Sequence, residues 1–105
     1  MDSKKPSKVT ALYYSEYPNC SPVDKRIASS ETTIEVGDEN CDVDSFWYAY
    51  SINVATLGYV NERISKEGYF AVKNLVVVAE FTDEAVLHAI ESLLPRIHEV
   101  ALRLP

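Results

Sequence analysis

Residues 46–56 alternate in polarity with a period of two, and this run constrains the fold more than any other feature of the chain. The even positions are mostly large and apolar, whereas the odd positions, apart from Trp47, are small or polar. A period of two is that of a β-strand that buries one face. We expect this strand to continue past a bulge at Gly58 to about residue 64, and residues 65–68 to form a hairpin loop.

Three further strands are predicted. Residues 69–81 are apolar at both even and odd positions, which is typical of a strand inside a sheet that is covered on both sides. Residues 8–14 and 32–36 carry shorter alternations of β-branched or aromatic residues with polar ones. The four strands therefore all precede residue 82.

The C-terminal part has the period of a helix. Thr82 or Asp83 can cap the first turn, and Phe81 with Val86 has the spacing of a hydrophobic staple. At 100° per residue the apolar side chains share an arc of roughly 140° that keeps its phase across Pro95. This favours one helix over residues 83–103, bent at Pro95, although the alternation at residues 98–104 leaves a helix followed by a strand open.

The sequence thus predicts an α+β fold, with an antiparallel sheet of about four strands in the order β-β-β-β-α and one long C-terminal helix on one face. A hydrophobic fraction of 47% over 105 residues fits a single domain, residues 1–105, with residues 1–7 disordered. Because one helix covers one face, we expect a second copy to cover the other, which predicts a homodimer or larger oligomer.

The net charge of -6 is equal to the charge of residues 31–44, which hold six carboxylates and no basic residue. Part of this segment, residues 38–44, resembles the start of a calcium loop, but Val43 and Ala49 replace the required glycine and glutamate. We therefore expect no metal site. The segment is either a solvated acidic loop or a docking surface, and the partner-binding residues proposed from the sequence are Asp38, Glu39, Asp42, Asp44 and, as an aromatic anchor, Trp47.

Other classes of site find little support in the sequence. Cys20 and Cys41 lack the spacing of a metal site and are expected to be free thiols, although a bridge between them stays open if both lie on adjacent loops. His88 and His98 have no catalytic partner that the spacing predicts, and no phosphate loop, nucleophile elbow or zinc-protease motif is present. We expect a protein that is not an enzyme and uses no cofactor.

The location and the partners are predicted from the same residues. The N-terminus shows no export signal, and the longest apolar run, residues 75–79, is far shorter than a membrane span. The acidic balance argues against a nucleic-acid backbone as partner. The sequence therefore predicts a soluble cytoplasmic protein that contacts neither membrane nor nucleic acid.

The second half of the chain resembles SecB-like chaperone domains. The resemblance lies in residues 48–60, in Gly68-Tyr69-Phe70 and in the helix with Leu93-Leu94-Pro95-Arg96. It implies a four-stranded antiparallel sheet, dimers or tetramers, a negative surface and the binding of unfolded polypeptides in hydrophobic grooves.

Three functions are compatible with these features. The first is a protein-binding domain, a SecB-like chaperone or an adaptor, that presents a sheet face and an acidic loop to a polypeptide. The second is an acidic inhibitor or immunity protein that blocks a basic site on a toxin or nuclease. The third, from another class, is a small-ligand binder or enzyme with a pocket between sheet and helix, beside His98, Tyr48 or Tyr50.

Overall fold

A computed structural model describes residues 5–105, and its order of elements confirms the α+β fold. The strands are β1 (Lys8–Tyr14), β2 (Ser29–Gly37), β3 (Tyr48–Thr56), β4 (Leu75–Val78) and β5 (Leu102–Arg103). The helices are α1 (Leu57–Glu67), α2 (Asp83–Leu93) and α3 (Ile97–Val100), with a 3₁₀ turn at Leu94–Arg96 between the last two. The disorder predicted for residues 1–7 falls partly on residues 1–4, which lie outside the described residues. Ser7 is bonded to the sheet, since its backbone N–H donates to the carbonyl of Gly37.

The sheet has the order β1-β2-β3-β4, and β5 also pairs with β3. The pairs β1–β2 and β2–β3 are antiparallel, as predicted for the sheet, and the unpredicted pair β3–β5 is antiparallel as well, whereas β4 runs parallel to β3. The two short strands share one edge of β3: β5 pairs with Tyr50 and Ser51, and β4 pairs with the four residues from Asn53 onward.

The alternation in β2 and β3 divides the sheet into an inner and an outer face. Ile34, Val36, Ile52 and Val54 are fully buried on the inner face, which packs against the C-terminal helices. In β1 the register shifts between Val9 and Ala11. This bulge at Thr10 lets Val9, Leu12 and Tyr14 all pair with inward-facing residues of β2, which a strict period of two does not allow.

The C-terminal helical segment matches the prediction closely. Thr82 Oγ1 accepts a hydrogen bond from the backbone N–H of Ala85, so Thr82 is the N-cap of α2. The buried side chains have the predicted spacing, and Pro95 is exposed on the opposite side. They are Val86, Ile90, Leu94, Ile97 and Ala101. The helical segment ends at Val100, and Leu102–Arg103 form β5, as in the strand alternative for the last residues.

The prediction for residues 57–81 is wrong in its elements. Where we expected a continuing strand, a bulge at Gly58 and a hairpin loop, the chain forms the helix α1. Where we expected a strand over residues 69–81, only Leu75–Val78 pair with β3, and they do so in parallel because α1 carries the chain back to the same end of the sheet. Tyr69 and Val72 are exposed rather than central.

A buried threonine starts α1. Thr56 Oγ1 accepts hydrogen bonds from the N–H of Tyr59 (3.1 Å) and of Ala28 (3.1 Å) and donates to the carbonyl of Arg26 (2.7 Å). The helix ends at Gly68, whose φ of 84° is the left-handed conformation that glycine adopts without strain. None of the α1 side chains is buried, so its position depends on these end contacts.

Candidate functional site

The outer face of the sheet carries apolar side chains exposed to solvent. The strand register aligns Tyr13, Thr33, Ser51 and Leu102 in one row across four strands, with Tyr13 and Leu102 at its ends. Tyr13 is 47% exposed and Leu102 is 59% exposed. Three strand spacings separate them, about 14 Å. The row therefore has a polar centre between two exposed apolar ends.

Two carboxylates lie beside this row. Glu31 and Glu35 alternate with the buried residues of β2 and therefore occupy its outer face. Glu35 pairs with Ala11 and Ala49, and its Oε1 is buried without a hydrogen-bond partner among residues 5–105. Burial raises the pKa of this carboxyl, and the nearby charge of Asp44 raises it further. The outer face thus holds an acid whose charge the described part of the chain leaves uncompensated.

The loop between β2 and β3 contains the acidic residues that the sequence analysis proposed for partner binding. Asp38 Oδ1 accepts a hydrogen bond from the N–H of Asn40 at 2.9 Å, and Asp42 Oδ1 accepts one from the N–H of Asp44 at 2.9 Å. Together with the Ser45 hydroxyl, the Asp44 N–H lowers the pKa of the exposed Asp42 carboxyl. Two of the four acids therefore also shape the loop, by Asx turns.

The other proposed partner-binding residues surround the same loop. Glu39 and Asp44 are exposed, and Asp44 is near enough to Glu35 to affect its pKa. Trp47 is half-buried just before β3, and its backbone N–H donates to the carbonyl of Val36 at 2.8 Å. The structure thus brings Asp44 to the outer face, whereas Asp38 is partly buried within the loop.

A cleft of about 210 Å³ lies at the other end of the outer face, between β2, β3, β4 and the start of α1. It is lined by carboxylates, by an amide, by two aromatic rings and by aliphatic side chains. These include Glu16, Glu31, Asn53, Tyr59, Phe70 and Leu75. The rings of Tyr59 and Phe70 meet edge to face, with centroids 6.1 Å apart.

Ser30 fixes the two acidic residues of this cleft next to each other. Its buried hydroxyl accepts a hydrogen bond from the N–H of Glu16 at 3.0 Å and donates one to the carbonyl of Glu31 at 2.8 Å. The N–H of Ser15 donates to the same carbonyl at 2.9 Å. The backbone positions of Glu16 and Glu31 are therefore set by the core, while both side chains are exposed.

Two further cavities lie beside the start of α2. One of about 290 Å³ is lined by Tyr14, Tyr17, Cys20, Lys25 and Asp83 among others, and one of about 320 Å³ lies between β1 and Leu87 of α2. The hydroxyl of Tyr14 donates to Asp83 Oδ1 at 2.8 Å and borders both. None of the three cavities described here is lined by His98, Tyr48 or Tyr50, where the small-ligand hypothesis expected one.

The two cysteines and the two histidines lie apart from one another in the structure. Cys20 is exposed and Cys41 is buried, and both are free thiols, as predicted. His88 and His98 are both exposed, on α2 and α3 respectively. Within residues 5–105, no three His, Cys, Asp or Glu side chains are placed to hold one metal ion.

The predicted site residues did not include the outer-face acids Glu31 and Glu35 or the cleft residues Glu16, Tyr59 and Phe70. For Glu31 and Glu35 a signal was present, because both have the opposite parity to the apolar residues of β2. Tyr59 and Phe70 were missed because the sequence pattern assigned both residues to strands. The position of Glu16 follows from its contact with Ser30, which no local pattern indicates.

Comparisons with known proteins assign no family or function to the chain. No protein-family model matches the chain, and no curated protein and no solved structure is significantly similar to it. Among the helices of residues 5–105, none combines the length and the apolar character that crossing a membrane requires.

Proposed function

We propose that the chain is a small cytoplasmic protein-binding domain, without enzymatic activity or cofactor, whose outer sheet face receives a basic polypeptide segment. The observation that carries this proposal is the carboxylate of Glu35, which is partly buried on an otherwise open face and has an oxygen without a hydrogen-bond partner in residues 5–105. A protein keeps such a group at a cost in stability, because burial without a partner disfavours the charged form. A cationic group of a bound partner compensates that cost.

The surroundings of Glu35 support a polypeptide rather than a small ligand. The row from Tyr13 to Leu102 adds apolar contact area on either side of the carboxylates, and Val77 on β4 is a third exposed apolar residue on this face. Interfaces between proteins combine apolar side chains, tyrosine among them, with polar groups over a broad, shallow surface. The exposed acids Glu39, Asp42 and Asp44 extend the negative field at one end.

The inhibitor function is a narrower form of the same proposal. In that form a toxin or nuclease supplies the basic surface, and the acidic loop contributes mainly to the rate of association. In the SecB-like form, the ligand is an unfolded polypeptide and apolar contacts dominate. A second copy of the chain on the outer face, the predicted homo-oligomer, competes with the partner for the same surface.

The test uses two synthetic peptides of matched length, one repeating Lys-Thr-Lys-Val and the other repeating Glu-Thr-Glu-Val, titrated into the isotope-labelled full chain. We expect the basic peptide to bind in low salt, to shift the amide signals of β2, β3 and residues 38–47, and to weaken as salt is added. The acidic peptide should not bind. Salt-independent binding with shifts at Tyr13 and Leu102 supports the chaperone form.

A matched pair of variants locates the site. Glu35→Gln should weaken binding of the basic peptide about threefold or more, whereas Glu99→Gln, which removes the same charge from α3, should leave it unchanged. Sedimentation of the free chain tests the competing copy. A stable dimer that buries the outer face and does not bind the peptide contradicts the proposal. Peptide binding that maps to the α2 side of the sheet contradicts it as well.

A further inference from the structure

The cleft at the α1 end of the outer face has an acidic rim and an apolar wall. Its rim carries Glu16 and Glu31, and neither forms an ion pair with any residue from 5 to 105. Its apolar wall includes the edge-to-face rings of Tyr59 and Phe70, together with Val72 and Leu75. A ligand that fits such a cleft is an alkyl chain that ends in a cation.

We infer that this cleft takes the side chain of a lysine or arginine from the polypeptide that binds the outer face, an inference that rests on the proposed function. The methylenes of that side chain lie along the aromatic and aliphatic wall. Its cationic end reaches the carboxylates of Glu16 and Glu31. The amide nitrogen of Asn53 donates to the carbonyl of Lys73 at 2.9 Å, so its amide oxygen is the group that Asn53 offers to a ligand.

The size of the cleft supports a side chain rather than a free small molecule. Its volume of about 210 Å³ is below the range of roughly 300–1,000 Å³ that is usual for drug-sized ligands. The cleft also opens on the face that holds Glu35, so a chain bound there passes its mouth. A polypeptide can therefore place one side chain in the cleft while its backbone lies across the sheet.

The backbones of the two acidic residues are held in place before a ligand binds. Ser30 bonds the backbones of both Glu16 and Glu31, which fixes the separation of their α-carbons in the free protein. Both side chains are exposed, and the Ser51 hydroxyl donates to Glu31 Oε2 at 3.5 Å, so it is the backbone spacing of the two acids that is set before a cation binds. The guanidinium of Arg63 lies 6.0 Å from the Tyr59 centroid and is paired with Glu67 at 2.7 Å, so its charge is already compensated.

The experiment compares peptides that differ at one side chain. The probe is a labelled Thr/Val peptide with one central lysine, and its partners carry arginine, norleucine or acetyl-lysine at that position. We expect lysine and arginine to bind about three- to tenfold more tightly than norleucine or acetyl-lysine. Free butylamine should compete only weakly, because it lacks the backbone that contacts the sheet.

Variants assign that preference to the cleft. Glu31→Gln combined with Glu16→Gln should abolish the preference for lysine over norleucine, while Glu62→Gln combined with Glu99→Gln, which makes the same change in charge elsewhere, should keep it. Because Glu16, Glu31, Glu62 and Glu99 are all exposed, we expect every variant to fold, and circular dichroism checks this.

The outcomes separate the inference from the proposed function. If the basic repeat peptide shifts the outer face but norleucine and lysine bind equally, the inference is wrong and the proposed function stands. If the lysine preference survives Glu16→Gln with Glu31→Gln, the basic side chain lies elsewhere and the inference is likewise wrong. If no peptide binds to the outer face, the proposed function itself fails.

Discussion

The hydroxyl of Tyr14 on β1 donates a hydrogen bond to Asp83 Oδ1 in the first turn of α2, at 2.8 Å, and this bond joins the edge of the sheet to the C-terminal helix. Its ring also packs edge to face on Phe81, with centroids 5.0 Å apart. Tyr14→Phe keeps the ring contact and removes the bond, so we expect a loss of about 0.5–1.5 kcal/mol in the free energy of unfolding by urea.

Tyr13→Phe is the matched control, because Tyr13 is the neighbouring tyrosine and is exposed on the outer face. It should leave stability unchanged. The same pair can be compared by alkaline titration of phenol absorbance: burial, with Asp83 adding to its effect, raises the pKa of Tyr14. Tyr14→Phe should therefore remove a phenol whose pKa is raised, and an unchanged high-pH end of the titration contradicts the assignment.

Thr56 is expected to be the most sensitive polar residue of the core. It is 0% exposed, and its hydroxyl bonds the backbone of Arg26, Ala28 and Tyr59. Thr56→Val keeps the shape but leaves buried backbone groups unpaired, which should cost about 2–4 kcal/mol. Thr56→Ser keeps the hydroxyl and should cost about 1 kcal/mol. A Thr56→Ser cost in urea unfolding that equals or exceeds the Thr56→Val cost would contradict the hydroxyl as the main contribution of this residue.

At Gly58, substitution by alanine is expected to destabilise the protein, although helix propensity alone favours alanine. Alanine at an ordinary position in a helix is favoured over glycine by about 1 kcal/mol. A Cβ at Gly58, however, would collide with the carbonyl oxygen of Arg26, which Thr56 holds in place. Gly58→Ala should therefore lower the free energy of unfolding by about 1–3 kcal/mol. Ser65→Ala on the same helix is the control and should be neutral or slightly stabilising; a stabilising Gly58→Ala contradicts this packing.

Glu35 should make the free chain less stable as pH rises. Because its folded pKa lies above its ordinary value, the folded state binds the proton more tightly than the unfolded state, and stability is lost as pH rises from about 4. Glu35→Gln should therefore raise Tm at pH 7 by about 1–4 °C and leave it unchanged below about pH 4. A Tm difference that is the same at both pH values would show that Glu35 does not titrate as proposed.

The spacing of the two outer-face acids predicts a preference in the partner. Glu31 and Glu35 are four residues apart on β2, about 13 Å at the rise of an antiparallel strand. An extended peptide along β2 with two lysines four residues apart should bind about threefold more tightly than one with the lysines three apart, whose side chains point to opposite sides. Fluorescence polarisation measures both affinities, and equal values contradict an extended partner along β2.

Where one period continues without interruption, the sequence predicted the structure well. The inward side of β2 and β3 and the buried arc of the C-terminal helices both follow from side-chain parity or angle alone. The free cysteines and the N-cap at Thr82 also follow from local chemistry. These features depend on residues that are near one another in the sequence, so they can be predicted from the sequence alone.

The strand prediction for residues 57–81 failed because many apolar residues of this segment are exposed rather than buried. The helix α1 has apolar residues at helical spacing, Leu57, Val60 and Ile64, but none of its side chains is buried, so this stripe does not mark a side that faces the core. Local signals for α1 were nevertheless present in the pairs Arg63–Glu67 and Glu62–Lys66, both four apart, and in Gly68 after the last turn. These contributions are small, which is why an apparent strand alternation outweighed them.

The sequence by itself determined an acidic α+β domain, the buried sides of its two central strands and its C-terminal helix, because periodicity is a local property of the chain. Only the tertiary structure decided that residues 57–67 form a helix, that β4 runs parallel to β3, and that Glu16 and Glu31 line one cleft with Tyr59 and Phe70. Those relationships depend on backbone groups far apart in sequence, such as Arg26 with Thr56 and Glu16 with Ser30. Their geometry exists only after the strands have paired.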